Sequence, residues 1–254
     1  MKLTVKPGLL KYLILAAGGL GLILRTVLYR TGIDGRGLLV EAHWAATTLW
    51  CLTFAAVAAA FVFTRSLDGA TDHAAAYPAS LQGALGAFAA MLGIGMTTVS
   101  EFAEFSSRLH LLIWVLGLCT TVSLGCIGVF RLKGGKPHPL LHALLCVYFA
   151  LRMVSRYQLW SSDPQLQDYC FYLSAYVALM LTAYHHAAFD ADMGAHRSLW
   201  LFSLASVYLC VLSLYGSMDR LLLLGCGIWA FTNLTRPCHH SSIEKPGVHG
   251  HKEG

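Results

Sequence analysis

The sequence predicts an all-α membrane protein, a polytopic bundle of about eight transmembrane helices, and three observations carry that expectation. Of its 254 residues, 56% are hydrophobic and only 12% are charged, about half the charged share of a soluble domain, which is near 25%. The apolar residues are gathered into runs of spanning length. The Lys and Arg residues stand in the short gaps between those runs, with no basic stripe interleaved with aromatics, so a net charge of +5 does not read as a nucleic-acid footprint. No nucleic-acid partner is expected; the lipid bilayer is the expected partner and solvent.

Crossing the hydrocarbon core as a helix takes about 20 mostly apolar residues, since each advances about 1.5 Å through a layer about 30 Å thick. Eight runs meet or approach that length: 8–28, 38–64, 78–99, 108–130, 138–153, 165–189, 198–215 and 218–234. The fifth and eighth are short, and the narrow Tyr215-Gly216-Ser217 turn keeps a seven-span alternative open. The first run follows Lys2, Lys6 and Lys11 in the charge order of a signal peptide, but it leads into Arg25 without a cleavage site and reads as a retained helix. All seven prolines fall near predicted helix ends, so no span is expected to break at midplane in the manner of discontinuous transporter helices. The small residues of the third run, Gly83, Gly86, Ala87, Ala90 and Gly93, predict close packing against neighbours. The eight cysteines include no CxxC pair and read as small apolar residues.

The distribution of positive charge orients these runs, because cytoplasmic segments hold the excess of Lys and Arg. With eight spans, eleven of the eighteen Lys and Arg residues fall on the side of the N-terminus, five on the other, and Arg25 and Arg152 at the boundary. Both termini are therefore expected in the cytoplasm, and the plasma membrane is the expected location. Residues 1–236 are expected to form one transmembrane domain, and the polar stretch 237–254 a disordered cytoplasmic tail.

Short matches suggest a duplication into residues 1–131 and 132–236. Leu24-Arg25-Thr26-Val27 ends the first run and Leu151-Arg152-Met153-Val154 ends the fifth, and an acid follows sixteen residues after each arginine, Glu41 and Asp168. Arg65-Ser66-Leu67 and Arg197-Ser198-Leu199 follow the second and sixth runs. Arg108-Leu109-His110-Leu111-Leu112 opens the fourth run and Arg220-Leu221-Leu222-Leu223-Leu224 the eighth, and four short matches in register imply two parallel four-helix repeats about an axis normal to the membrane, an arrangement some transporters use.

Two polar groupings on opposite sides are the candidate sites. On the outer side, Arg25 and Glu41 are equidistant from one loop centre, as Arg152 and Asp168 are from another, which brings each pair to similar depth in a helical hairpin. With Tyr172 beside Asp168, these residues are candidates to bind a charged or zwitterionic small-molecule solute at an outward-facing vestibule, because ionisable groups within a bundle are costly and face a cavity or one another. The competing reading is that each arginine clips its own hairpin and snorkels to the interface.

On the cytoplasmic side, His138 and His142 are four residues apart, as are His186 and Asp190, and that spacing puts two side chains on one helix face. Reflection about the hairpin turn brings the pairs together. Three imidazoles and a carboxylate suit Zn²⁺ or another divalent transition metal, and the competing reading is a set of solvated interfacial histidines.

The last runs contain no lysine, so a retinal Schiff base has no attachment point there, and the chain carries no nucleotide-binding loop. The expected function is a small-solute transporter or permease driven by a gradient or a separate subunit. Two alternatives stay open: a metal-dependent membrane enzyme using the cytoplasmic histidines, and a membrane sensor or partner subunit.

Overall fold

A computed structural model describes residues 7–32, 43–65, 78–104, 108–160, 166–215 and 219–234, without the side chains of 7, 103, 104, 159, 160 and 166–168. Among the described residues the chain forms eight α-helices: α1 (Pro7–Thr31), α2 (Trp44–Arg65), α3 (Leu81–Ser100), α4 (Arg108–Lys133), α5 (Pro139–Trp160), α6 (Leu166–Asp190), α7 (His196–Leu212) and α8 (Arg220–Asn233). A 3₁₀ turn, Glu101–Glu104, follows α3. Glu41 and the tail 237–254 lie outside the described residues, as does the side chain of Asp168.

Among the described residues five helices, α1 to α5, are long and apolar enough to cross a membrane. They carry large apolar side chains on their outer faces, among them Ile23, Phe54, Val62, Leu92, Val122 and Val147, the arrangement expected when lipid tails rather than water cover the surface. The protein is an integral membrane protein of helical type. The 17 residues of α7 and the 14 of α8 reach only about 26 and 21 Å at 1.5 Å per residue. Of the two runs expected to be short, the eighth stays short. The fifth extends to 22 residues, because Arg152 and Arg156 do not end it at a membrane boundary but turn into the bundle.

The helices close into a ring in the order α3, α4, α5, α6, α7, α8 and back to α3, with α1 and α2 packed outside it against α7. Accordingly α7 is enclosed from several directions, and Leu204, Val207, Tyr208 and Cys210 are among its buried residues. The ring does not divide along the expected repeats: it takes α3 and α4 from the first half and α5 to α8 from the second. A two-fold axis would also make the α3–α8 interface equivalent to one between α7 and α4, and no comparable α7–α4 interface exists among the described residues.

The α3–α8 contact is the closest built on small residues, as expected for the third run. A Cβ on Gly93 would stand 2.4 Å from the carbonyl oxygen of Leu221, and one on Gly225 2.4 Å from that of Ala89, so backbone meets backbone in both directions. At one end, Ser80 caps α3 by accepting from the Gly83 amide at 3.1 Å, and its own amide donates to the Arg131 carbonyl at 2.9 Å, which fixes the start of α3 to the end of α4. Among the cysteines, Cys210 and Cys226 are buried, whereas Cys51, Cys119 and Cys126 lie exposed on the outer surface with the lipid-facing side chains.

Candidate functional site

Two buried polar clusters stand at opposite ends of the ring helices, with an apolar middle that includes Leu124, Leu145, Leu179, Leu222 and Cys226. The first is built around two arginines one turn apart on α5. Arg152 donates from Nη1 to Glu101 Oε2 at 2.5 Å and from Nη2 to Glu101 Oε1 at 2.6 Å, a two-pronged grip. The same Nη2 donates to Asp219 Oδ1 at 2.6 Å. Arg156 holds Asp219 through Nε and Nη2 at 2.9 and 2.7 Å, and reaches Glu101 Oε1 at 3.0 Å. Tyr176, on α6, donates its hydroxyl to Asp219 Oδ2.

Charged side chains from three separate segments thus converge, the turn after α3, the C-terminal part of α5 and the start of α8, with Tyr176 of α6 beside them. Two guanidinium charges face two carboxylates, so the cluster is neutral as a whole. That balance makes it tolerable, since each ion withdrawn from water unpaired costs several kcal/mol. The side chains of Arg152 and Asp219 are each 4% exposed and that of Arg156 11%, whereas Glu101 is 28% exposed. The cluster is therefore closed on one side and open to solvent through Glu101. Arg152 Nε, and the hydroxyl of Tyr148 one turn earlier on α5, are buried without a hydrogen-bond partner among the described residues.

Arg25 stands beside this cluster rather than in it. It is buried, donates to the Leu212 carbonyl at 3.4 Å, and lies 4.3 Å from the centre of the Tyr172 ring, a cation–π geometry. Tyr172 in turn donates to the Tyr215 carbonyl. The structure therefore brings Arg25 and Tyr172 together, and places Arg152 with Glu101 and Asp219. Equidistance within one hairpin is no guide to the Arg152 partners described here, which come from elements 51 and 67 positions away. Glu101 and Arg156 carry no signal in the sequence beyond being charged residues beside apolar runs. Asp219 was not singled out; its only sequence signal is an acid at the margin of an apolar run.

At the other end His142 and Asp190 pair at 2.6 Å between Nδ1 and Oδ2, both fully buried. His186 stacks on His142 with ring centres 5.0 Å apart and planes 16° apart, and Trp229 of α8 packs against both rings. Among the described residues neither nitrogen of His186 has a hydrogen-bond partner, nor does His142 Nε2. His138 is exposed, and its Nδ1 accepts from the Leu140 amide at 3.3 Å. The expected four-ligand metal set does not assemble: among the described residues no group of three or more His, Cys, Asp or Glu side chains is placed to hold a metal ion. The physical reason is that His142 commits Nδ1 to Asp190, the two rings lie face to face, and His138 stays at the surface.

A groove of about 590 Å³ lies on the outer side of α6 and α7, lined by Tyr157, Leu173, Val177, Phe202 and Leu209 among others. None of its described lining residues is charged. No family model, curated protein or solved structure matches this chain. The geometry of the two ends is what bears on function.

Proposed function

We propose that the protein is a permease for a small solute, and that the Glu101, Arg152, Arg156 and Asp219 cluster is its solute-responsive gate. One observation carries this reading: four ionised side chains from three chain segments are paired with one another at one end of the ring helices, with a single member open to solvent. A fastening of the bundle alone does not call for charge, because apolar side chains of similar volume do as well or better by 1–4 kcal/mol in soluble proteins. Ionisable groups inside a membrane bundle mark pathways and binding sites by default. Paired charges can also exchange partners, which packed leucines cannot.

In this reading both termini are cytoplasmic and the Arg152 end faces outward, as the Lys and Arg distribution favours. Arg25 and Tyr172, both buried, support the cluster from the side. The apolar middle of the ring is the barrier that a change in helix packing would have to open, and the solute gradient supplies the driving force.

The test is uptake into vesicles reconstituted with purified protein, across a panel of labelled small anions, zwitterions, cations and neutral solutes. The wild type should carry at least one class, and Arg152→Gln and Asp219→Asn should lose that flux while Glu101→Gln, at the solvent-open position, alters it without loss of fold. Correctly folded protein that carries none of the panel, or variants that keep wild-type flux, would sink the reading.

A further inference from the structure

Resting on that permease reading, we infer that the solute is a small carboxylate anion, which takes the place of the Glu101 side chain on Arg152 and Arg156. The two carboxylates of the cluster are held very differently. Asp219 accepts from Arg152 Nη2, Arg156 Nε, Arg156 Nη2 and the Tyr176 hydroxyl and is 4% exposed. Glu101 accepts from the two arginines alone and is 28% exposed. It sits on a 3₁₀ turn past the end of α3, so rotating its side chain into water breaks no helix hydrogen bond. Asp219 is the fixed counter-ion and Glu101 the exchangeable one.

The grip on Glu101 also specifies what can replace it. Two parallel N–H···O bonds from one guanidinium match the planar carboxylate, and Glu101 is a tethered example of that ligand. Exchange with a free carboxylate conserves the charge of the cluster: one anion enters and one returns to water. A cation would have to displace Arg152 or Arg156, whose side chains are 4% and 11% exposed. A neutral polar solute would leave the guanidinium charges under-compensated, since charge-assisted hydrogen bonds are about twice as strong as neutral ones.

A second observation points the same way. Arg152 Nε and the Tyr148 hydroxyl are buried donors with no hydrogen-bond partner among the described residues. Leaving such a group unsatisfied costs about 1–3 kcal/mol. Tyr148 stands one helical turn before Arg152 on α5, among the buried residues of the core, and the two donors are partners that an entering anion can take.

The experiment is chemical rescue in the full-length protein, read by thermal unfolding in detergent. Glu101→Ala should lower Tm, and sodium acetate should restore roughly half or more of the loss once its concentration is well above Kd. Sodium chloride at the same ionic strength and methylammonium chloride should not. Asp219→Ala should show no acetate rescue, because its place is closed. Should Glu101→Ala not fold, Glu101→Gln replaces it, and acetate should raise its Tm more than that of the wild type. Equal effects of acetate and chloride on folded Glu101 variants, or rescue of Asp219→Ala to the same extent, would overturn the inference. Because rescue needs no flux, the two readings separate. Acetate-specific rescue without uptake of any solute would reject the permease and leave the anion site, whereas uptake of cations or neutral solutes alone, with no rescue, would do the reverse.

Discussion

His142 on α5 and Asp190 on α6 are 48 positions apart in sequence and meet at 2.6 Å between Nδ1 and Oδ2, with both side chains withdrawn from solvent. The contact fixes the orientation of the His142 ring, since Nδ1 is the ring atom it uses. The neighbouring His186 ring stacks on the same face. One buried polar contact therefore orders the end of the ring remote from Arg152.

Removing one partner of that contact should be costly. His142→Phe keeps the ring volume but takes the Nδ1 donor from a buried carboxylate, and the expected loss is about 3–5 kcal/mol. Asp190→Asn should cost less, since an amide oxygen can still accept. In a double-mutant cycle the two changes should couple by more than about 0.5 kcal/mol; additive losses in reversible unfolding would mean that the contact contributes little.

At the opposite end, Arg152→Gln and Asp219→Asn should also be coupled, each alone costing about 3–5 kcal/mol and the pair less than their sum. The neutral hydrogen bond between Thr182 and Ser206, 2.9 Å long and buried, is the internal comparison. Thr182→Val should cost only about 0.6 kcal/mol, the average for polar contacts between membrane helices. A ranking in which Thr182→Val exceeds Asp219→Asn would contradict the charge cluster as the stronger fastening.

Glycine substitutions separate close helix approach from lipid-facing space. Gly93→Ala and Gly225→Ala each press a Cβ against backbone 2.4 Å away, so α3 and α8 must part, at about 1–3 kcal/mol or more. Around Gly19 nothing lies within 4 Å of the added Cβ, and Gly19→Ala should be neutral or stabilising by up to about 1 kcal/mol, the helix-propensity difference. Unfolding midpoints that fall equally for all three would show that the α3–α8 contact is looser than described.

Topology is open to direct labelling. The 22 residues of α5 span about 33 Å, so its two ends belong on opposite sides of a bilayer. In an otherwise cysteine-free chain, Lys136→Cys should react with a membrane-impermeant reagent only from the cytoplasmic side, and Ser161→Cys only from outside. Labelling of both from one side would remove α5 as a span, and the reverse sidedness would overturn the orientation.

The class of the protein was determined by sequence alone, because a helix that meets lipid must be apolar for the whole thickness of the layer, and that requirement is written in consecutive residues. The small residues of α3 and the i,i+4 spacing of His186 and Asp190 were legible for the same reason: they are properties of one helix. Partnership between helices was not. Reflection about a hairpin turn gives no route to Asp219, which the structure joins to Arg152 from 67 positions away, nor to the choice of His142 over His138 as the residue that meets His186 and Asp190. Those contacts exist because α8 enters the ring beside α3, and α1 and α2 are left outside it. That order is decided by the fit of glycine-bearing helix faces and by the need of each buried charge for an opposite one, and neither leaves a periodic signal along the chain.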